Sequence, residues 1–169
     1  MRNLLAVFLL VLPLSLCKAQ TAPVKPVEPT AIGVIYRLEP STQELKRLPD
    51  EQWKEKHGNR SESDLYVEVS GTASSFRIKA DAKFEFLFST GSPEKVALYR
   101  FDQKKKLRVF AFQKQESLLH TAVTPLKGLP VDVSKYGESS FKLVPASPLT
   151  PGEYVIMIGG EAYTFGVDQ

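Results

Sequence analysis

The chain has 169 residues, 43% of them hydrophobic and 24% charged, with a formal net charge of +3 and a single cysteine. One cysteine excludes an intrachain disulfide framework, so the fold must be held by packing alone. The length suits one domain burying about 70% of its extended surface.

Residues 1–19 read as a signal peptide. Arg2 supplies a short positive start, and Leu4–Leu16 is an uncharged, leucine-rich run interrupted by Pro13. That run falls short of the roughly 20 apolar residues a membrane-spanning helix needs, so no transmembrane span is expected. Cys17-Lys18-Ala19 places small residues where a signal peptidase reads, so cleavage is expected before Gln20, giving a secreted or periplasmic product. Leu14-Ser15-Leu16-Cys17 partly matches a lipoprotein box. The residue before an acylated cysteine is usually small and Leu16 is not, so a lipid anchor at Cys17 is disfavoured. Losing Arg2 and Lys18 leaves 20 basic against 19 acidic residues, a net charge of +1. That balance offers no cationic field for nucleic acid.

Residues 20–30 carry prolines at 23, 26 and 29, a spacing that suits an extended spacer and makes this segment a linker. Residues 31–169 form the expected domain. Ile32–Leu38 is β-branched and aromatic, Glu39-Pro40-Ser41-Thr42 turns it, and Glu44–Leu48 returns as a partner strand. Asp50 after Pro49 predicts a helix N-cap, with Glu51 in the first turn and Gly58 as the stop beyond His57. This is the one short helix expected.

Strand patterns resume at Leu65–Val69 and Phe76–Ile78. Phe84, Phe86 and Phe88, at spacing two, put one aromatic face on a core, with Lys83 and Glu85 opposite. Val96–Phe101 and Leu107–Phe112, joined by the polar turn Asp102–Lys106, predict a hairpin. Leu118–Val133, with Pro125, Gly128 and Pro130, reads as a crossover loop with room for one short strand. Phe141–Val144 is a strand, and Leu149-Thr150-Pro151-Gly152-Glu153-Tyr154 leads into Tyr154–Ile158. Here proline sets the turn, glycine permits it, and the tyrosine hydroxyl is placed to reach back to a backbone group near Leu149, a tyrosine corner. Gly159-Gly160 predicts a two-residue hairpin turn into Ala162–Phe165. Short strands with turns every 8–12 residues predict an all-β, immunoglobulin-like antiparallel β-sandwich.

The corner, the stretch Gly71-Thr72-Ala73-Ser74-Ser75-Phe76-Arg77 and the terminal Phe165-Gly166-Val167-Asp168 together resemble an uncharacterised group of secreted bacterial proteins. The resemblance implies an immunoglobulin-like or fibronectin-type-III-like sandwich and no particular activity.

No metal site, cofactor site or catalytic residue is expected. His57 and His120 lie far apart in sequence and Met157 sits in an apolar strand, so the clustered donors of a copper carrier are missing. Glu51 and Glu55, one helical turn apart and interleaved with Lys54 and Lys56, read as a solvated helix face. Lys104-Lys105-Lys106, with Arg100 and Arg108 nearby, reads as a solvated hairpin tip before an anion-binding surface. Trp53, beside Leu45 and Leu48, is expected to pin the helix to the sandwich, and Asn59-Arg60-Ser61 fits a glycosylation sequon. The functional expectation is a non-enzymatic envelope module that engages another envelope protein or surface polymer. A periplasmic carrier of a small ligand or ion, using one end of the sandwich or the gap between sheets, is the alternative, and a small hydrolase is third.

Overall fold

Tyr154–Ile158 and Ala162–Phe165 are apolar without the alternation of a half-buried strand, which calls for burial on both faces. The computed structural model, which describes residues 26–58, 64–117, 120–125 and 127–169, provides that burial. The leader through Ala19, Cys17, residues 20–25 of the linker and the Asn59–Ser61 sequon lie outside the described residues. The strands in chain order are β1 (Tyr36–Leu38), β2 (Leu45–Arg47), β3 (Trp53–His57), β4 (Leu65–Ser70), β5 (Arg77–Lys79), β6 (Phe86–Phe88) and β7 (Ala97–Arg100). They continue as β8 (Asp102–Lys104), β9 (Leu107–Ser117), β10 (His120–Pro125), β11 (Val131–Tyr136), β12 (Ser140–Pro145), β13 (Gly152–Ile158) and β14 (Glu161–Asp168). Among the described residues no helix is long and apolar enough to cross a membrane.

The protein is an all-β sandwich. One sheet runs β11-β12-β6-β1-β2, and a second, β5-β14-β13-β7, packs on it. A third, β10-β9-β4-β3 with β8 beside β9, covers the back of the second. All pairings between these strands are antiparallel except β5 with β14. Tyr154, Ile156, Tyr163 and Phe165 face the first sheet in a core shared with Phe86, Phe88 and Leu143. Val155 and Ala162 face the third sheet, in a smaller core with Val67, Val69, Phe101 and Phe110. The middle sheet is therefore buried on both sides, which accounts for its continuous apolar runs.

Several local expectations hold. The β1–β2 hairpin forms, with Tyr36 opposite Arg47. Phe84, Phe86 and Phe88 are buried, although Leu87 on the other face is buried as well. Gly159 and Gly160 make the β13–β14 turn with φ of 58° and 89°, the left-handed pair that a two-residue hairpin favours. The Tyr154 hydroxyl donates to the Thr150 carbonyl at 2.6 Å, so the corner closes as expected. Its ring stacks on Phe165 with centroids 5.4 Å apart.

Three expectations are corrected. The helix from Asp50 is absent and Trp53–His57 is β3, paired with β4 from Trp53↔Val69 to His57↔Leu65. The preceding residues are already taken up along β14: the Glu51 amide donates to the Ala162 carbonyl at 2.9 Å and Thr164 to Pro49 at 3.0 Å. The chain therefore enters β3 extended, and tertiary pairing overrides a capping signal. The hairpin of Val96–Phe101 with Leu107–Phe112 is also replaced. β7 pairs with β13, the chain turns at buried Phe101 into the third sheet, and only β8 pairs back on β9. The crossover holds more than the one short strand allowed for it: it contains β10, the partner of β9, and also the start of β11.

Candidate functional site: the gap between the middle and third sheets

Two of the three stretches that carry the resemblance, Gly71–Arg77 and Phe165–Asp168, meet at one end of this gap. Parallel pairing sets Arg77 beside Gly166 and Lys79 beside Asp168. A side chain at Gly166 would collide with the Arg77 guanidinium, so the glycine leaves the space that Arg77 fills. Arg77 bridges Glu153 and Asp168, which raises the guanidinium pKa, first through the bond it donates to Asp168, and lowers that of Asp168. Glu153, almost fully buried, also accepts the Ser74 amide at 2.7 Å, and the Ser74 hydroxyl lies 2.9 Å from that of Thr164.

Arg108 completes this end. Only 1% exposed, it pairs with Glu51 and donates to the carbonyls of Ser70 at 3.0 Å and Gly71 at 3.3 Å. Its Nη1 makes no hydrogen bond and faces Glu153 at 3.8 Å. Two expectations fall here. Arg108 does not belong to a surface cluster with Lys104–Lys106, because it is buried among carboxylates. Glu51 is not on a helix face with Glu55; it accepts from Arg108 and from the Thr164 hydroxyl, whereas Glu55 lies further along on β3.

A row of rings leads away from this charged end. Arg108 lies over Phe101 at 5.4 Å, Phe101 meets Phe110 edge-on at 5.7 Å, Phe110 stacks on Tyr99 at 4.5 Å, and Tyr99 touches Phe112 at 6.4 Å. Burial raises the Tyr99 hydroxyl pKa. At Phe112 the packing stops: that ring is 42% exposed. Beyond it the sheets part around a cleft of about 260 Å³, walled by Trp53, Leu65, Val67, Phe112, Met157 and Ile158.

The cleft stays open for identifiable reasons. The Gly159-Gly160 turn forms one lip, and a Cβ at either position would meet nothing within 4 Å. Trp53 donates its indole N–H to the Gly160 carbonyl at 2.9 Å, so its ring is fixed and its only donor is used. Exposed Glu55 and Lys95 line the cleft and supply opposite charges. An apolar cavity of about 150 Å³ already holds a benzene-sized molecule, so this volume suits one aromatic or aliphatic group.

The other residues singled out in the sequence fall elsewhere. Trp53 pins no helix and works instead as a wall of the cleft, a role signalled only by its being the sole tryptophan. Met157 is not fully enclosed; it lines the same wall. His57 ends β3 with its Nε2 3.9 Å from Glu55, and His120 opens β10. Lys104 lies over the Tyr66 ring at 5.3 Å on the outer face of the third sheet, and Lys105 takes a left-handed turn position at φ 56°. Sequence reasoning missed Leu65 and Phe112. No family model, curated protein or solved structure matches this chain.

Proposed function

We propose that this protein is an exported, non-enzymatic binding module, and that the group it recognises is apolar and seats in the cleft between the middle and third sheets. The observation that carries this reading is a preformed apolar cleft beside a fixed tryptophan, in a gap whose other end is filled by its own side chains. Binding sites are concave, mostly apolar and largely formed before the ligand arrives. Export is supported by the charged start and apolar run of residues 1–16, with cleavage before Gln20. The partner is then another component of the envelope that presents an apolar group.

Trp53, the only tryptophan, reports directly on the site. Titration with phenylnaphthylamine, a neutral apolar probe, should change its emission saturably, and Phe112→Ser should remove the response while the domain stays folded. Equal responses from wild type and variant would overturn the reading.

A further inference from the structure

Strand β3 ends the third sheet, with β4 along one edge and no described strand along the other. The phase of its pairing decides which backbone groups face outward. The Gly58 amide donates to the Asp64 carbonyl at 2.8 Å. Antiparallel pairs alternate between bonded and non-bonded, so Lys54 and Lys56, in phase with Gly58, bond to β4. Trp53 and Glu55 then turn their N–H and C=O groups to the open edge.

The side chains alternate as well. Trp53 and Glu55 line the cleft, while Lys54 and Lys56 project from the opposite face, where Lys56 lies 3.5 Å from Glu68. Open edges accept strands: main-chain bonds hold the added segment and side-chain pockets at alternate positions select it. A residue added on the inner face comes beside a cavity sized for one apolar side chain. Residues added on the outer face come opposite Lys54 and Lys56, where opposite charge is favourable and like charge is not. A second copy of this chain, paired antiparallel through the same edge, would set Lys54 against Lys56 and Glu55 against Glu55. Such lysines are a common guard against self-pairing.

We propose that the open edge of β3 is a strand-addition site for an extended segment of a partner protein in which apolar residues alternate with aspartate or glutamate. This rests on the cleft as the seat for an apolar group and adds the kind of molecule that carries it.

The test uses two labelled eight-residue peptides, one alternating valine with glutamate and the other valine with lysine, followed by fluorescence anisotropy. Amide hydrogen exchange is read at Glu55 and phenylnaphthylamine binding at Trp53. The glutamate peptide should bind saturably, slow exchange at the Glu55 amide, and bind about tenfold more tightly than the lysine peptide. In the double variant Lys54→Glu, Lys56→Glu the preference should reverse, with phenylnaphthylamine binding intact because neither lysine lines the cleft. If the probe binds and neither peptide does, strand addition is overturned and the cleft reading stands. Equal affinity for the two peptides, or binding without slowed exchange at Glu55, also overturns it. So does a dimer formed through β3. If neither probe nor peptide binds, the cleft reading falls with it.

Discussion

The two ends of one gap solve the same packing problem in opposite ways. Where β5 and β14 approach the start of β9, the space between the middle and third sheets is filled by Arg108, Glu51, Glu153 and Arg77, and all but one of their buried side-chain donors have partners. Where β3, β4 and β9 approach the β13–β14 turn, the walls are apolar and the space is left open. Desolvated charges must be matched by internal partners, so the first end permits few substitutions. An apolar wall carries no such demand and can stay uncovered until a ligand arrives. The charged end thus fastens the sheets together, and the apolar end is the seat for the apolar group proposed above.

The largest expected effect breaks the fastener. Arg108→Met leaves Glu51 without its cation and Glu153 with Arg77 alone, and should cost about 3–5 kcal/mol in denaturant melts. Loss below about 1 kcal/mol would mean that the network contributes little. In whatever fraction remains folded, the Trp53 response to phenylnaphthylamine should persist, because the two ends share no wall residue.

Tyr154→Phe lies outside the gap, in the first core, and measures what a single buried bond is worth. It removes the donor to Thr150 and should cost about 0.5–3 kcal/mol, less than the charged network. A melt identical to that of Lys105→Ala would make the corner incidental to stability.

At the open end the expected order of effects reverses. Phe112→Ser removes a ring that is already partly in solvent, so stability should fall by only about 1 kcal/mol while probe binding is lost. A stability loss as large as that of Arg108→Met would mean that the cleft is structural.

The smallest effect involves neither end and appears only in acid. Glu28, in the segment before β1, accepts the amides of Glu138 and Ser139 at 2.9 Å each and the Ser140 hydroxyl at 2.8 Å. These bonds, the Glu138 amide foremost, lower its pKa from 4.5 to about 2. A depressed carboxyl contributes stability above its unfolded pKa and loses it as pH falls through the folded one. Between about 4.5 and about 2, wild type should therefore lose melting temperature more steeply than Glu28→Gln. The variant keeps part of the slope, because Asp168 is lowered too, by its bond from Arg77. Parallel slopes would show that Glu28 does not anchor this segment to the β11–β12 turn.

Features legible in the sequence share a physical cause: they depend on a few neighbouring residues. The Gly159-Gly160 turn, the Tyr154 corner, the β1–β2 hairpin and the aromatic face of Phe84, Phe86 and Phe88 follow from allowed dihedrals and a period of two. The candidate site was not legible because its walls come from β3, β4, β9 and β13, distant in sequence. An exposed Phe112 has the same local pattern as buried Phe110. Arg108 has the same local pattern as a solvated arginine, and nothing near it in the chain announces Glu153. Even the capping signal at Asp50 was sound locally, and failed because the backbone of Pro49 and Glu51 bonds along β14 instead.

By itself the sequence determined an all-β chain, most of its strands and its tightest turns, because those choices are made over a few residues of backbone. Only the tertiary structure decided that the middle sheet is covered on both faces, that Trp53–His57 is an edge strand among the described residues, and that the gap closes at one end and opens at the other. Those outcomes depend on which distant strands become neighbours and share hydrogen bonds, and no local pattern records that pairing.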